Sequence, residues 1–142
     1  MSEFDDLIGV PSPLPRRKQS EKAIQNEILV AVSQQPGALV WRNNTGQAWQ
    51  GQRLRLPVGQ KFEMLPGMVV LAEARPVDFG CPGSPDIIGS VKGRAVGIEV
   101  KADGGYQSRL QKRFEAAWSG TGALYGCAKS VAEALGIIDR SR

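Results

Sequence analysis

The sequence predicts an α/β fold with a mixed sheet, and three observations carry that expectation. An amphipathic helix opens the structured part, two apolar segments around Lys92-Gly93 form a hairpin at its centre, and helix, strand and helix alternate over the last third. At 142 residues and 42% apolar content the chain has the size of one domain and enough material for one core.

Residues 1–19 hold Pro11, Pro13 and Pro15 ahead of Arg16-Arg17-Lys18, without apolar periodicity, and are expected to be a flexible arm. The folded domain is then 20–142. Its first helix starts with Ser20 as N-cap and runs to about Gln34, where Pro36-Gly37 stops it. Ile24, Ile28 and Ala31 recur on one helix face, and Glu27 is expected on that inner face with them. A carboxylate turned toward a core is costly unless something pairs with it.

Ala38 to Trp41 reads as a short buried strand, and Arg42 to Gly46 as a polar turn. Within 47–80, Leu54-Arg55-Leu56 and Met68 to Leu71 are expected to be the strands of a β-excursion. Gly80 to Pro85 is too rich in Gly and Pro for a helix. It delivers Asp86 to the head of the apolar run Ile87 to Val91, Lys92-Gly93 turns the chain, and Ala95 to Ala102 is the return strand. After the loop Asp103 to Tyr106, a helix covers Ser108 to Ser119 and a strand Ala123 to Ala128. Ser130-Val131-Ala132-Glu133 opens the last helix as a capping box.

Composition narrows the chemistry. There is no histidine among the 142 residues. Imidazole bases, triads built on them and most zinc sites are thereby excluded. Cys81 and Cys127 are expected to be two unpaired thiols of a cytoplasmic protein. No apolar run has the length to span a membrane, and the acidic start MSEFDDLIGV does not resemble a signal peptide. The net charge is +4, and because residues 1–19 carry three bases and three acids, all of it belongs to the folded part. A basic domain suits a polyanionic partner.

With a two-residue turn at Lys92-Gly93, Val91 pairs with Arg94, Ile88 with Gly97 and Asp86 with Glu99. Opposed residues of an antiparallel pair have Cβ atoms about 4.5–5.5 Å apart on one face. Two carboxylates would therefore repel unless one takes a proton or both share a cation. The two-residue period brings Lys101 to the same face. Oxygen-only ligands favour Mg²⁺, with Mn²⁺ as the alternative, over softer metals. A hard cation beside a lysine suits phosphodiester hydrolysis. Glu27 is expected to complete the metal shell through a water. Gln111 can share the sheet-facing side of its helix with Phe114 and Trp118, and Arg109, Lys112 and Arg113 form a basic stripe on the other side.

Gly83-Ser84-Pro85-Asp86-Ile87-Ile88, Gly97-Ile98-Glu99-Val100-Lys101, then Ser108 and Gln111, resemble the PD-(D/E)XK nucleases and, among them, the virus-type replication-repair (VRR-Nuc) group. The helix with Gln25 and Glu27, and Arg42-Asn43-Asn44-Thr45-Gly46, resemble that group too. The resemblance implies a restriction-endonuclease-like α-β-β-β-α-β core with 47–80 as an addition to it. It also implies Mg²⁺- or Mn²⁺-dependent cleavage of DNA, and a phage-type homodimer acting on branched substrates such as four-way junctions. Carried onto matching positions, it gives Asp86, Glu99 and the Val100 carbonyl to the metal, Lys101 to the attacking water, and Glu27 to the acidic set. Gln111 would then contact the metal's water or the scissile phosphate. Arg42, Asn44, Gly46, Ser108, Arg109, Lys112 and Arg113 are the expected DNA contacts. The competing expectation is a non-catalytic DNA-binding module with the same fold.

Overall fold

The computed structural model describes residues 18–140, so the arm expected over residues 1–19 lies outside it apart from Lys18 and Gln19. Nine elements follow in order: α1 (Glu21–Ser33), β1 (Ala38–Arg42), β2 (Gly46–Arg53), β3 (Leu71–Phe79), β4 (Ile87–Val91), β5 (Arg94–Val100), α2 (Arg109–Gly120), β6 (Leu124–Ala128) and α3 (Val131–Asp139). The protein is α/β, with a four-stranded mixed sheet ordered β1-β4-β5-β6 and a separate two-stranded ribbon of β2 and β3. β1, β4 and β5 pair antiparallel, whereas α2 carries the chain over so that β6 joins β5 in parallel.

The central hairpin has the expected register, with Ile88 opposite Gly97 and Val91 opposite Arg94. Lys92 and Gly93 both adopt positive φ, 49° and 77°. That is the backbone of a two-residue turn whose twist matches the strands it joins. Because side chains alternate along a strand, this turn length decides which face every β4 side chain occupies.

One face of the sheet carries the apolar core. Ile87 and Val91 of β4, Val96, Ile98 and Val100 of β5, and Leu124 and Ala128 of β6 are buried there. They pack with Ile24, Ile28 and Val32 of α1 and Ala134, Ile137 and Ile138 of α3. Gly126 leaves the room that Ile137 needs, since a Cβ there would lie 2.4 Å from its Cδ1. The buried stripe of α1 is Ile24, Ile28 and Val32, while Ala31 is half-buried at its border. Glu27 is therefore exposed rather than on the inner face, roughly 100° from the stripe's centre at 3.6 residues per turn.

The excursion takes a different form from the expected one. Its strands are β2 and β3, which lie outside the apolar segments Leu54 to Leu56 and Met68 to Val70, so those segments fall in the loop between the strands. β2 is exposed at all eight positions, so no face of it alternates apolar with polar and nothing in its sequence marks it as a strand. Gly46, expected in a turn, already begins β2, and Arg42 ends β1. The return strand ends at Val100 instead of reaching Ala102. Among the described residues no helix is long and apolar enough to cross a membrane, and both cysteines are free and exposed.

Candidate active site

The face of β5 opposite the core carries Gly97, Glu99 and Lys101. Above it lie α2 and the loop from Gly83 to Asp86. Gly97 is the aperture that lets them approach: a Cβ there would stand 2.8 Å from Pro85 Cγ and 3.3 Å from Tyr125 Cδ2. Gly83 does the same for the other contact. Its φ is +81°, and a Cβ there would lie 2.5 Å from the carbonyl oxygen of Leu110 in α2. The loop is thus wedged between strand and helix with Pro85 fully buried.

Asn43, just after β1, fixes that loop from a third side. Its backbone N–H donates to the Asp86 carbonyl (2.8 Å), and its amide donates to Ser84 Oγ (2.7 Å) and the Pro85 carbonyl (2.9 Å). Asp86 Oδ2 in turn accepts the backbone N–H of Val100 at 2.7 Å. The carboxylate therefore caps the β4–β5 ladder one pair beyond its last backbone partner.

Glu99 is 1% exposed and is the one buried charged residue of the described chain. Its Oε1 accepts from Lys101 Nζ at 2.7 Å and also from Gln111 Nε2. Its Oε2 is buried without a hydrogen-bond partner. An orphaned carboxylate oxygen is costly in a low-dielectric site. Burial is the largest influence on both Asp86 and Glu99 and raises the pKa of each, against the Val100 N–H for Asp86 and against the Lys101 hydrogen bond for Glu99. Burial also disfavours the Lys101 cation, but the hydrogen bond and charge of Glu99, with the charges of Glu21 and Asp86, outweigh it and raise the ammonium pKa. Lys101 is therefore a fixed cation at neutral pH.

The structure brings together Asp86, Glu99, Val100, Lys101 and Gln111 of the expected site. It leaves Glu27 out. Glu27 is exposed and accepts from Gln19 Nε2 at 2.7 Å. The helix acid whose charge acts on Asp86, Glu99 and Lys101 is Glu21. Sequence reasoning missed it, although it stands in the first turn of α1, three residues before Ile24. Asn43, which fixes the Asp86 loop, belongs to a segment that the sequence marks only as a polar turn.

Gln111 is held at both ends of its amide. Its Oε1 accepts the Ser108 N–H at 2.7 Å while Ser108 Oγ accepts the Gln111 N–H, a complete capping box for α2. Its Nε2 donates to Glu99 Oε1, so it positions that carboxylate. Among the expected DNA contacts, Asn44, Gly46, Ser108, Arg109, Lys112 and Arg113 are exposed. Arg42 instead donates to Asn26 Oδ1 of α1, and its Nε is buried without a partner.

The donor set fits a hard divalent cation. An unpartnered buried oxygen of Glu99 beside a second carboxylate is what such an ion would satisfy, with the Val100 carbonyl at the same strand end. Among the described residues no three His, Cys, Asp or Glu side chains gather as a cage. Two carboxylates with the remaining positions left to water is the habit of Mg²⁺. Comparison of the chain with protein-family models gives no match, and comparison with curated proteins gives none either.

Proposed function

We propose that the chain is a Mg²⁺-dependent endonuclease, with Mn²⁺ as an alternative ion, that hydrolyses phosphodiester bonds of branched or structured DNA such as four-way junctions and flaps. In this reading residues 20–142 are a VRR-Nuc-like domain of the PD-(D/E)XK type, whose α-β-β-β-α-β core is α1, β1, β4, β5, α2 and β6. It works in the cytoplasm as a homodimer in phage replication or repair. The observation that carries the reading is the Glu99 carboxylate, with one oxygen saturated by Lys101 and Gln111 and the other buried and unpartnered beside Asp86. A pure binder gains nothing from two desolvated acids at a surface meant for phosphate.

Asp86, Glu99 and the Val100 carbonyl would hold the ion, which when bound polarises the phosphoryl oxygen and makes water a better nucleophile. The chain's own groups do the rest. Lys101, kept protonated by Glu99, is a donor and a cation rather than a base. It orients the attacking water and offsets negative charge building on the phosphate. Gln111 holds the Glu99 oxygen that the ion does not use, and Asn43 holds the Asp86 loop. The exposed lysine and arginines of α2 meet flanking phosphates. Support for a second copy comes from edge strand β1, where Leu39 is 72% and Trp41 54% exposed on a face that α2 does not cover.

Labelled four-way junction, flap and linear duplex, incubated with Mg²⁺, Mn²⁺ or EDTA, test the proposal. Metal-dependent cutting of the branched substrates is expected. A folded sample that cuts none of them would overturn it, and salt-sensitive junction binding without cutting would favour the non-catalytic module.

A further inference from the structure

We propose that the β2–β3 ribbon is a DNA-binding arm that extends from the catalytic loop along the substrate, with a basic outer segment for phosphates and an apolar tip for unstacked bases at a branch. The proposal rests on the nuclease reading above and assigns the part of the chain that reading leaves without a role.

The ribbon is rooted at the site. Asn43, whose contacts fix the Asp86 loop, is three residues before β2. At the other end of the ribbon Gly80 lies so close to the same segment that a Cβ would be 2.7 Å from Thr45 Cγ2 and 2.8 Å from the Asn44 carbonyl oxygen. Both strands therefore leave the domain next to Asp86. The eight residues of β2 reach roughly 25 Å at about 3.3 Å each, the length of about seven base-pair steps.

The ribbon serves no packing purpose that would explain its length. β2 and β3 pair with each other and form no extended contact with a helix or with the main sheet. Its charges are partly segregated. From Gly46 to Phe62 the chain has Arg53, Arg55 and Lys61 and no acid, and the next residue, Glu63, is an exposed acid. The strand acids Glu73 and Asp78 accept from Gln52 (2.8 Å) and Gln47 (3.2 Å) across the ribbon. All three bases are exposed. Next to them in the connecting loop stand Phe62, Met64 and Leu65, which are 47%, 54% and 61% exposed, with the exposed Glu63 among them, and Phe62 lines an apolar hollow with Trp49 and Ala74 of the ribbon. Apolar side chains beside arginine and lysine suit nucleic acid, where such residues wedge against base steps while the cations take the phosphates. Charge complementarity thus favours DNA over a second copy of this equally basic chain.

Two variants of the full chain test the arm: R53Q/R55Q/K61Q and F62S/M64S/L65S. Binding to a four-way junction and to linear duplex is measured by fluorescence anisotropy in EDTA across a salt series, with mass by sedimentation. The basic variant is expected to lose at least tenfold in affinity for both DNAs and to reduce the salt slope by about 2 to 3. The tip variant is expected to keep its duplex affinity and lose most of its preference for the junction. Wild-type binding by both variants would overturn the proposal. So would a tip variant whose one change is a fall in mass, since that assigns the tip to contact between copies. Wild-type protein that cuts while both variants bind normally refutes the arm alone, whereas ribbon-dependent binding without any cutting refutes the nuclease reading alone.

Discussion

The chain builds two antiparallel pairs from consecutive strands, and they treat charge in opposite ways. In β4–β5 a two-residue turn locks the register, one face of both strands packs into the core with α1 and α3, and at its open end Glu99 is buried with Asp86 half-buried. In β2–β3 the connection runs from Leu54 to Val70, the register shifts between Gln50 and Gln52, and every residue of β2 meets solvent. The backbone hydrogen bonds are of the same kind in both. What differs is the medium around the side chains, and the medium decides their use. Desolvated carboxylates gain from a bound ion and are held to a fixed geometry. Solvated arginines and lysines are screened over about 10 Å at ordinary salt and act as a diffuse field for a polyanion.

The largest effect should come from the cation inside the first pair. Lys101→Ala is expected to lower the single-turnover cleavage rate by about 10²- to 10³-fold, with junction affinity nearly unchanged in EDTA. Equal loss of binding and cutting would erase the distinction between the two pairs. Gly97→Ala comes next: pushing Pro85 off the strand should cost about 1–3 kcal/mol in chemical denaturation and reduce cutting along with it, because Asp86 rides on the same loop. Wild-type stability would show that the loop yields freely and that the pair is less rigid than described.

A roughly tenfold effect, one step of about 1.4 kcal/mol, is expected for Glu21→Gln, whereas Glu27→Gln should cut as the wild type does. The reverse ranking in parallel cleavage assays would put the helix acid back where the sequence placed it. The smallest effect concerns stability and pH. The folded pKa values of Asp86 and Glu99 lie above their ordinary values near 4. Their neutral forms are favoured by folding, so this contribution is complete at acid pH and is lost as pH rises through the folded pKa values. In EDTA, Asp86→Asn should therefore melt higher than wild type at pH 7, with the gap closing toward pH 4. Mg²⁺ should raise the wild-type midpoint more than the variant's. A variant that melts lower at pH 7 would mean that the acid is comfortable without a cation.

Local chemistry makes the half with the candidate site legible. Helix caps at Ser20, Ser108 and Ser130 lie next to the groups they satisfy, and the turn at Lys92-Gly93 carries the register of both strands with it. Asp86, Glu99 and Lys101 were placed on one face by that parity alone. The misplacements each depended on a distant partner. The face of Glu27 turned on whether Val32 or Ala31 borders the stripe, which only packing against the sheet decides. Nothing near Arg42 in sequence announces Asn26 as its acceptor. The ribbon strands show no apolar alternation because neither face of β2 is buried, and the apolar residues lie in the loop between them.

The capping box of α2 has a kinetic meaning. One amide, that of Gln111, both closes the first turn of the helix and grips Glu99. Fraying of that turn therefore removes one of the two donors on Glu99 and leaves Lys101 as the other. Amide exchange at Ser108 becomes a clock for how often Gln111 lets go of Glu99.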